Sequence, residues 1–210
     1  MRKSIFAAGI ATLIAAASPA MAANVTMYDE IGGQTFADVF ANELSTSNQG
    51  WGQVFNSGLA TTLTGIAVLV QPVSDTSTYT LSVLADGGAG TPTGTALWSS
   101  GIENASNSVL DITGLSLAIN ASTNYWLAVL PVDATSGWAQ PDNGDTGPTA
   151  FYSYGTSSWA VQPSNESYNY AATITGSYVD ETTTGVPEPA SLALLGLGLL
   201  GTAAIRRRRG

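Results

Sequence analysis

Between Ala23 and Val186 the chain carries fourteen carboxylates and no Lys, Arg, His or Cys. Carboxylates in such numbers suggest two kinds of chemistry. A pair of them is enough for glycoside hydrolysis, one acting as acid and one as base or nucleophile. Hard oxygen ligands also suit Ca²⁺, which an extracellular domain meets at millimolar concentration. The contexts favour neither. Asp75 sits among Ser and Thr, and Asp86 precedes Gly87-Gly88. Asp142 and Asp145 lie in Pro-Asp-Asn-Gly-Asp. Asp in such places ordinarily bonds to nearby backbone and shapes a turn. Asp142 and Asp145 form the best local calcium candidate, but they lack the twelve-residue spacing and terminal Glu of an EF-hand. No acid pair stands out by spacing, so no catalytic residue, enzyme activity, metal or cofactor is assigned. The second chemistry-bearing group is aromatic. Trp138, Tyr152, Tyr154 and Trp159 fall in one polar, Gly-rich stretch and are the candidate platform on which sugar rings would stack. Packing on an edge strand is the competing expectation for them. Trp51, Trp98 and Trp126 lie in or beside apolar runs and are expected in the core.

The missing residue types exclude more than the present ones assign. Nucleic-acid binding needs cations to neutralise phosphates. Zinc, thiol and thiolate-haem sites need Cys or His. No disulfide can form. A segment of this length buries a sizeable core without one.

All six basic residues sit at the two ends. At the front, Arg2-Lys3, an apolar run from Ile5 to Ala17, and Ala20 and Ala22 in the small-residue positions have the order of a secretory signal peptide. This predicts a leader over 1–22, cut after Ala22 and delivered through the Sec translocon. At the back, Val186-Pro187-Glu188-Pro189 precedes an apolar run from Ala190 to Ile205. Arg206, Arg207, Arg208 and Arg209 follow, before the final Gly210. Sixteen residues make a helix of about 24 Å, short for a permanent span of about 20 residues. Gly196, Gly198 and Gly201 weaken it further. The four arginines hold the tail's end in the cytoplasm and leave the preceding domain outside. The two prolines keep 186–189 extended and open to a processing enzyme.

Val186, Pro187, Glu188 and Pro189, a short hydrophobic helix and a terminal Arg cluster resemble the PEP-CTERM sorting signal of Gram-negative bacteria. The resemblance covers residues 186 to 210. It implies recognition and removal of the tail by exosortase, a membrane protease-transpeptidase. Val186 to Pro189 would then be the sorting motif, Ala190 to Ile205 a transient inner-membrane anchor, and Arg206 to Arg209 the cytoplasmic stop.

The middle must fold without long charged side chains. Ser and Thr supply 42 of the 164 residues from Ala23 to Val186, and apolar residues mostly alternate. Strands are predicted over Val25–Tyr28, Gln53–Asn56, Leu63–Val70, Tyr79–Ala85, Thr95–Ser99 and Val109–Ile112. Others follow at Leu115–Ile119, Tyr125–Leu130, Phe151–Tyr154, Trp159–Val161 and Ala171–Tyr178. Thr113-Gly114 and Pro131 are expected to end the strands before them. Phe36, Val39, Phe40 and Leu44 have helical spacing and suggest one short helix or an irregular loop. The expected architecture is one all-β domain over 23–180, an antiparallel β-sandwich of jelly-roll type. It would be flanked by the signal helix and the short C-terminal transmembrane helix. Residues 181–186 form a polar linker, and 187–210 the sorting signal.

Trp51-Gly52-Gln53-Val54-Phe55, Leu63-Thr64-Gly65-Ile66, Leu81-Ser82-Val83-Leu84 with the Asp86-Gly87-Gly88 turn, and Asn124-Tyr125-Trp126-Leu127-Ala128-Val129 resemble the choice-of-anchor exported β-sandwich domains. That resemblance implies exchangeable sorting tails and no assigned activity. Together these features predict a non-enzymatic exported protein whose partners are exosortase and an extracellular polysaccharide. It would reside at the cell surface or in a matrix such as a biofilm. A carbohydrate-binding module built on the Trp/Tyr platform is the alternative.

Overall fold

The chain's structure, a computed structural model, describes residues 22–31, 42–44, 49–72, 77–133, 136–140, 147–153, 157–162 and 169–179. All regular structure among them is strand. The strands are β1 (Ala22–Asp29), β2 (Asn42–Leu44), β3 (Gln49–Asn56), β4 (Thr62–Val68), β5 (Val70–Pro72), β6 (Thr78–Asp86), β7 (Pro92–Ser99), β8 (Glu103–Asn104), β9 (Leu110–Ala118), β10 (Asn124–Asp133), β11 (Ser136–Trp138), β12 (Thr149–Ser153), β13 (Ser158–Val161) and β14 (Ala172–Val179).

They form three sheets. Four strands run in the order β1-β14-β4-β9. The largest sheet runs β13-β12-β3-β10-β6-β7, with β8 also paired to β6. The smallest is β2-β11-β5. Pairings with recorded register are antiparallel, as in β10 with β3 and with β6. The alternation in the sequence explains the main core. Tyr79, Leu81 and Val83 on β6, Tyr125, Leu127 and Val129 on β10, and Trp51 and Phe55 on β3 point to one face of the large sheet. They meet Leu63, Ile66 and Val68 of β4 and Ala172 and Ile174 of β14 from the other. Removing these side chains from water supplies the driving force, about 1.5–3 kcal/mol for each large aliphatic or aromatic residue. The all-β, antiparallel, sandwich-like expectation is therefore met.

The opposite face of the large sheet is not a solvated back. It holds a second cluster of Leu84, Trp126, Ala128 and Ala150, with Val54 and Trp159 against it. The first and last strands of this sheet, β13 and β7, touch one another. A flat sheet would hold them about 24 Å apart, five intervals of about 4.8 Å. The sheet therefore curls around its second cluster. Small residues on this concave side make room for the two tryptophans, and Gly52 shows why. A Cβ there would lie 3.1 Å from Cζ3 of Trp159 and 3.5 Å from Cε3 of Trp126. Trp126 is thus core as expected, but in a core separate from that of Trp51. Trp98 is half-buried and packs against the main one.

Three sequence expectations need correction. Asn42–Leu44 is strand, not part of a helix, because it pairs with β11; residues 36 to 41 lie outside the described set. Gly114 does not end a strand. It takes φ +73 inside β9, where the pairing with β4 shifts register between Leu63 and Gly65. Glycine reaches that conformation without strain, so the strand bulges and continues. Pro131 does not end β10 either. Pairing to β3 runs only to Val129, while pairing to β6 continues through Pro131 to Asp133 with a register shift. A proline fits where the ladder is already irregular.

Candidate functional site

The described body leaves its two chain ends side by side. Glu30 N–H donates to Ala172 O at 2.9 Å. Thr173 Oγ1 donates to Asp29 Oδ1 at 2.7 Å. Farther along, a Cβ on Gly176 would lie 3.0 Å from Cε of Met27. Rising numbers on β14 meet falling numbers on β1, so these neighbours are antiparallel. The start of β1 at Ala22 and the end of β14 at Val179 therefore share one end of the sheet. Ala22, the expected cleavage residue, is exposed. Ala20, the linker, Val186, Pro187, Glu188, Pro189, the apolar run and Arg206 to Arg209 lie outside the described residues.

The aromatic stretch is divided by the fold. Trp138 has no exposed surface. Its ring stacks on Tyr170 with centroids 4.5 Å apart and planes 15° apart, and its Nε1–H donates to Ala171 O at 3.1 Å. It belongs to the main core and presents no face to a sugar, which corrects its place in the platform. Tyr152 and Trp159 are register partners on β12 and β13. Their centroids lie 5.2 Å apart and their planes 57° apart. Both are half-buried, and the tilt denies them a common flat face. Tyr154, Asp142 and Asp145 lie outside the described residues.

A different constellation, absent from the sequence expectations, gathers at the end of the body formed by the tips of β3, β6, β9 and β10. A cleft of about 630 Å³ opens there, lined in part by Asn56, Asp86, Leu97, Ile119, Ser122 and Asn124. A recess of about 420 Å³ adjoins it and shares Asn56, Asp86 and Asn124; its wall includes Trp126. The rim is braced by one buried hydroxyl. Ser57 Oγ donates toward Asn120 O at 2.7 Å and Thr123 O at 3.1 Å, and accepts from Thr123 N–H at 2.9 Å. Ser57 N–H donates to Thr123 O as well. Ser122, held at φ +52, donates its N–H to Gly58 O at 2.6 Å. A non-glycine residue keeps that conformation only where its surroundings fix it.

Polar groups in the cleft are oriented in turn. Trp126 Nε1–H donates to Asp86 Oδ1 at 3.0 Å. Gly58 N–H donates to Asn56 Oδ1 at 2.9 Å, which identifies the amide nitrogen that donates to Asn124 Oδ1 at 2.7 Å. Asp86 Oδ2 and Asn124 Nδ2 are left without hydrogen-bond partners among the described residues. Spacing gave no signal for this, because Asp86 and Asn124 lie on different strands of one sheet. Asp86 reads in sequence as an ordinary turn residue. Among the described residues, no three acidic side chains come together as a metal site.

No curated protein matches the chain. Residues 185–209, beginning six residues beyond the end of β14, match the family described as the PEP-CTERM protein-sorting motif, a signal that directs an exported protein to exosortase.

Proposed function

We propose that the chain is non-enzymatic cargo, exported through the Sec translocon and delivered to the cell surface or an extracellular polysaccharide matrix of a Gram-negative bacterium. The leader is removed after Ala22. The apolar run Ala190–Ile205 holds the protein in the inner membrane, with Arg206 to Arg209 on the cytoplasmic side. Exosortase then recognises Pro187-Glu188-Pro189 and cuts within or beside Val186–Pro189. The observation that carries this is the motif match at 185–209. It is supported by the spacing: the last described strand ends at Val179, and the residues between it and the motif are polar in sequence. The anionic middle keeps the released domain soluble and away from anionic surfaces.

The test is to tag the chain just after Ala23 and express it with and without an exosortase gene. The surface fraction is then analysed by intact mass. Loss of the Arg206–Arg209 tail only when exosortase is present is the expected result. Glu188→Ala should leave the tail attached. A surface pool that retains Gly210 would overturn the proposal.

A further inference from the structure

We propose that the cleft between the tips of β3, β6, β9 and β10 is a binding site for a neutral saccharide, gripped through a pair of neighbouring hydroxyl groups. The proposal is independent of tail processing and moves sugar recognition away from the aromatic stretch. Three observations carry it. First, the two unoccupied hydrogen-bonding atoms are complementary. Asp86 Oδ2 only accepts, while Asn124 Nδ2 only donates. A vicinal diol offers both functions to such a pair, donating to the carboxylate and accepting from the amide. Second, both groups are fixed before a ligand arrives. Trp126 holds Asp86, Asn56 holds Asn124, and Ser57 staples the rim. Pre-organisation of this kind lowers the entropy cost of binding. Third, the cleft volume of about 630 Å³ lies in the range of small-molecule sites. Leu97, 45% exposed, gives an apolar patch beside Asp86 for the C–H face of a ring.

Charge narrows the ligand class. The middle has no cationic side chain, so an anionic glycan would meet Asp86 with no countercharge. A divalent cation would find one carboxylate, already half engaged by Trp126, where such ions take six or more oxygens.

The test uses the full chain in a detergent without a sugar headgroup. Glucose-, mannose- and galactose-based tetrasaccharides are titrated by calorimetry and by tryptophan emission, with tetragalacturonate and calcium chloride as further arms. At least one neutral tetrasaccharide should bind with a Kd of about 1 mM or tighter. Asp86→Asn and Asn124→Asp keep shape and keep the bonds from Trp126 and Asn56, but each reverses the hydrogen-bonding sense of the free atom. Each should weaken binding about tenfold or more with an unchanged near-UV circular dichroism spectrum, whereas Trp159→Ala should bind as the parent. The proposal is overturned by no neutral sugar binding up to about 10 mM, or by wild-type affinity in both isosteric variants. Binding abolished by Trp159→Ala, or a response to calcium or tetragalacturonate alone, would also overturn it.

Discussion

Replacing Trp138 with Ala separates a structural tryptophan from a ligand-facing one. The indole has no exposed surface and lies on β11 between β2 and β5, stacked on Tyr170 at 4.5 Å. Truncating a buried Trp costs about 3–5 kcal/mol. The lost ring pair adds about 0.5–1.5 kcal/mol. The lost hydrogen bond adds less than an orphaned acceptor would, because Ala171 O also accepts from Leu69 N–H at 3.2 Å. A further ~0.5–1.5 kcal/mol is appropriate there. The total, about 4–8 kcal/mol, is a large share of the 5–15 kcal/mol typical of a folded domain. At about 2–4 °C per kcal/mol for a body of this size, the melting temperature should fall by about 8–32 °C. Thermal unfolding followed by near-UV circular dichroism reads this directly. Trp159→Ala, at a half-buried edge position, should cost only about 1–2 kcal/mol. A drop below about 3 °C for Trp138→Ala, or a larger drop for Trp159→Ala, would refute the assignment of Trp138 to the core.

Gly176→Ala should destabilise by about 1–3 kcal/mol, because the added Cβ would come within 2.8 Å of both Ala60 Cβ and the Thr62 carbonyl oxygen; an unchanged urea midpoint would contradict this. Ser57→Ala strips the rim of its shared hydroxyl and leaves Thr123 N–H without that acceptor. A loss of about 1–3 kcal/mol and faster amide exchange at Asn120–Asn124 are expected, and unaltered exchange would count against the brace. Burial, with the Glu30 carboxylate adding to it, raises the pKa of Tyr28 far above the ordinary phenol value. Burial and then Glu103 do the same for Tyr79. The unfolded chain releases these protons near pH 10 and the folded chain keeps them. Stability is therefore intact below about pH 10 and declines as pH rises beyond it. Phenolate absorbance from Tyr28 and Tyr79 should appear together with loss of far-UV signal, and ionisation at pH 10 in the folded protein would be the opposing result.

Strands with clean alternation were readable because burial on one face enforces a two-residue period. Tyr79, Leu81 and Val83 are the plainest case. Interruptions were misread because Gly114 and Pro131 act locally as stops, whereas the neighbouring strands β4 and β6 carry the pairing through them. Trp138 lies in Thr-Ser-Gly-Trp, which reads as surface. Its burial depends on Tyr170, brought from a distant strand connection that no local pattern announces. The curl of the large sheet was hidden for a related reason. Alternation says that Trp126 and Trp51 face opposite ways, but not that both faces are covered. The cleft was the least legible of all, since its two free hydrogen-bonding atoms are defined by which of their neighbours are already bonded.

The strand that carries the exit toward the sorting signal is not at a margin of its sheet. β14 lies between β1 and β4 and pairs with β4 from Ala172 to Ser177, with one register shift between Thr175 and Gly176. Were the C-terminal side fixed to a surface, as proposed, drag on the domain would pull lengthwise on an interior strand. Rungs on both sides must then slide together, where an outer strand would peel away one rung at a time. Resistance to such pulling is set by the unfolding rate, so an interior β14 should slow unfolding under tension applied from the C-terminal side.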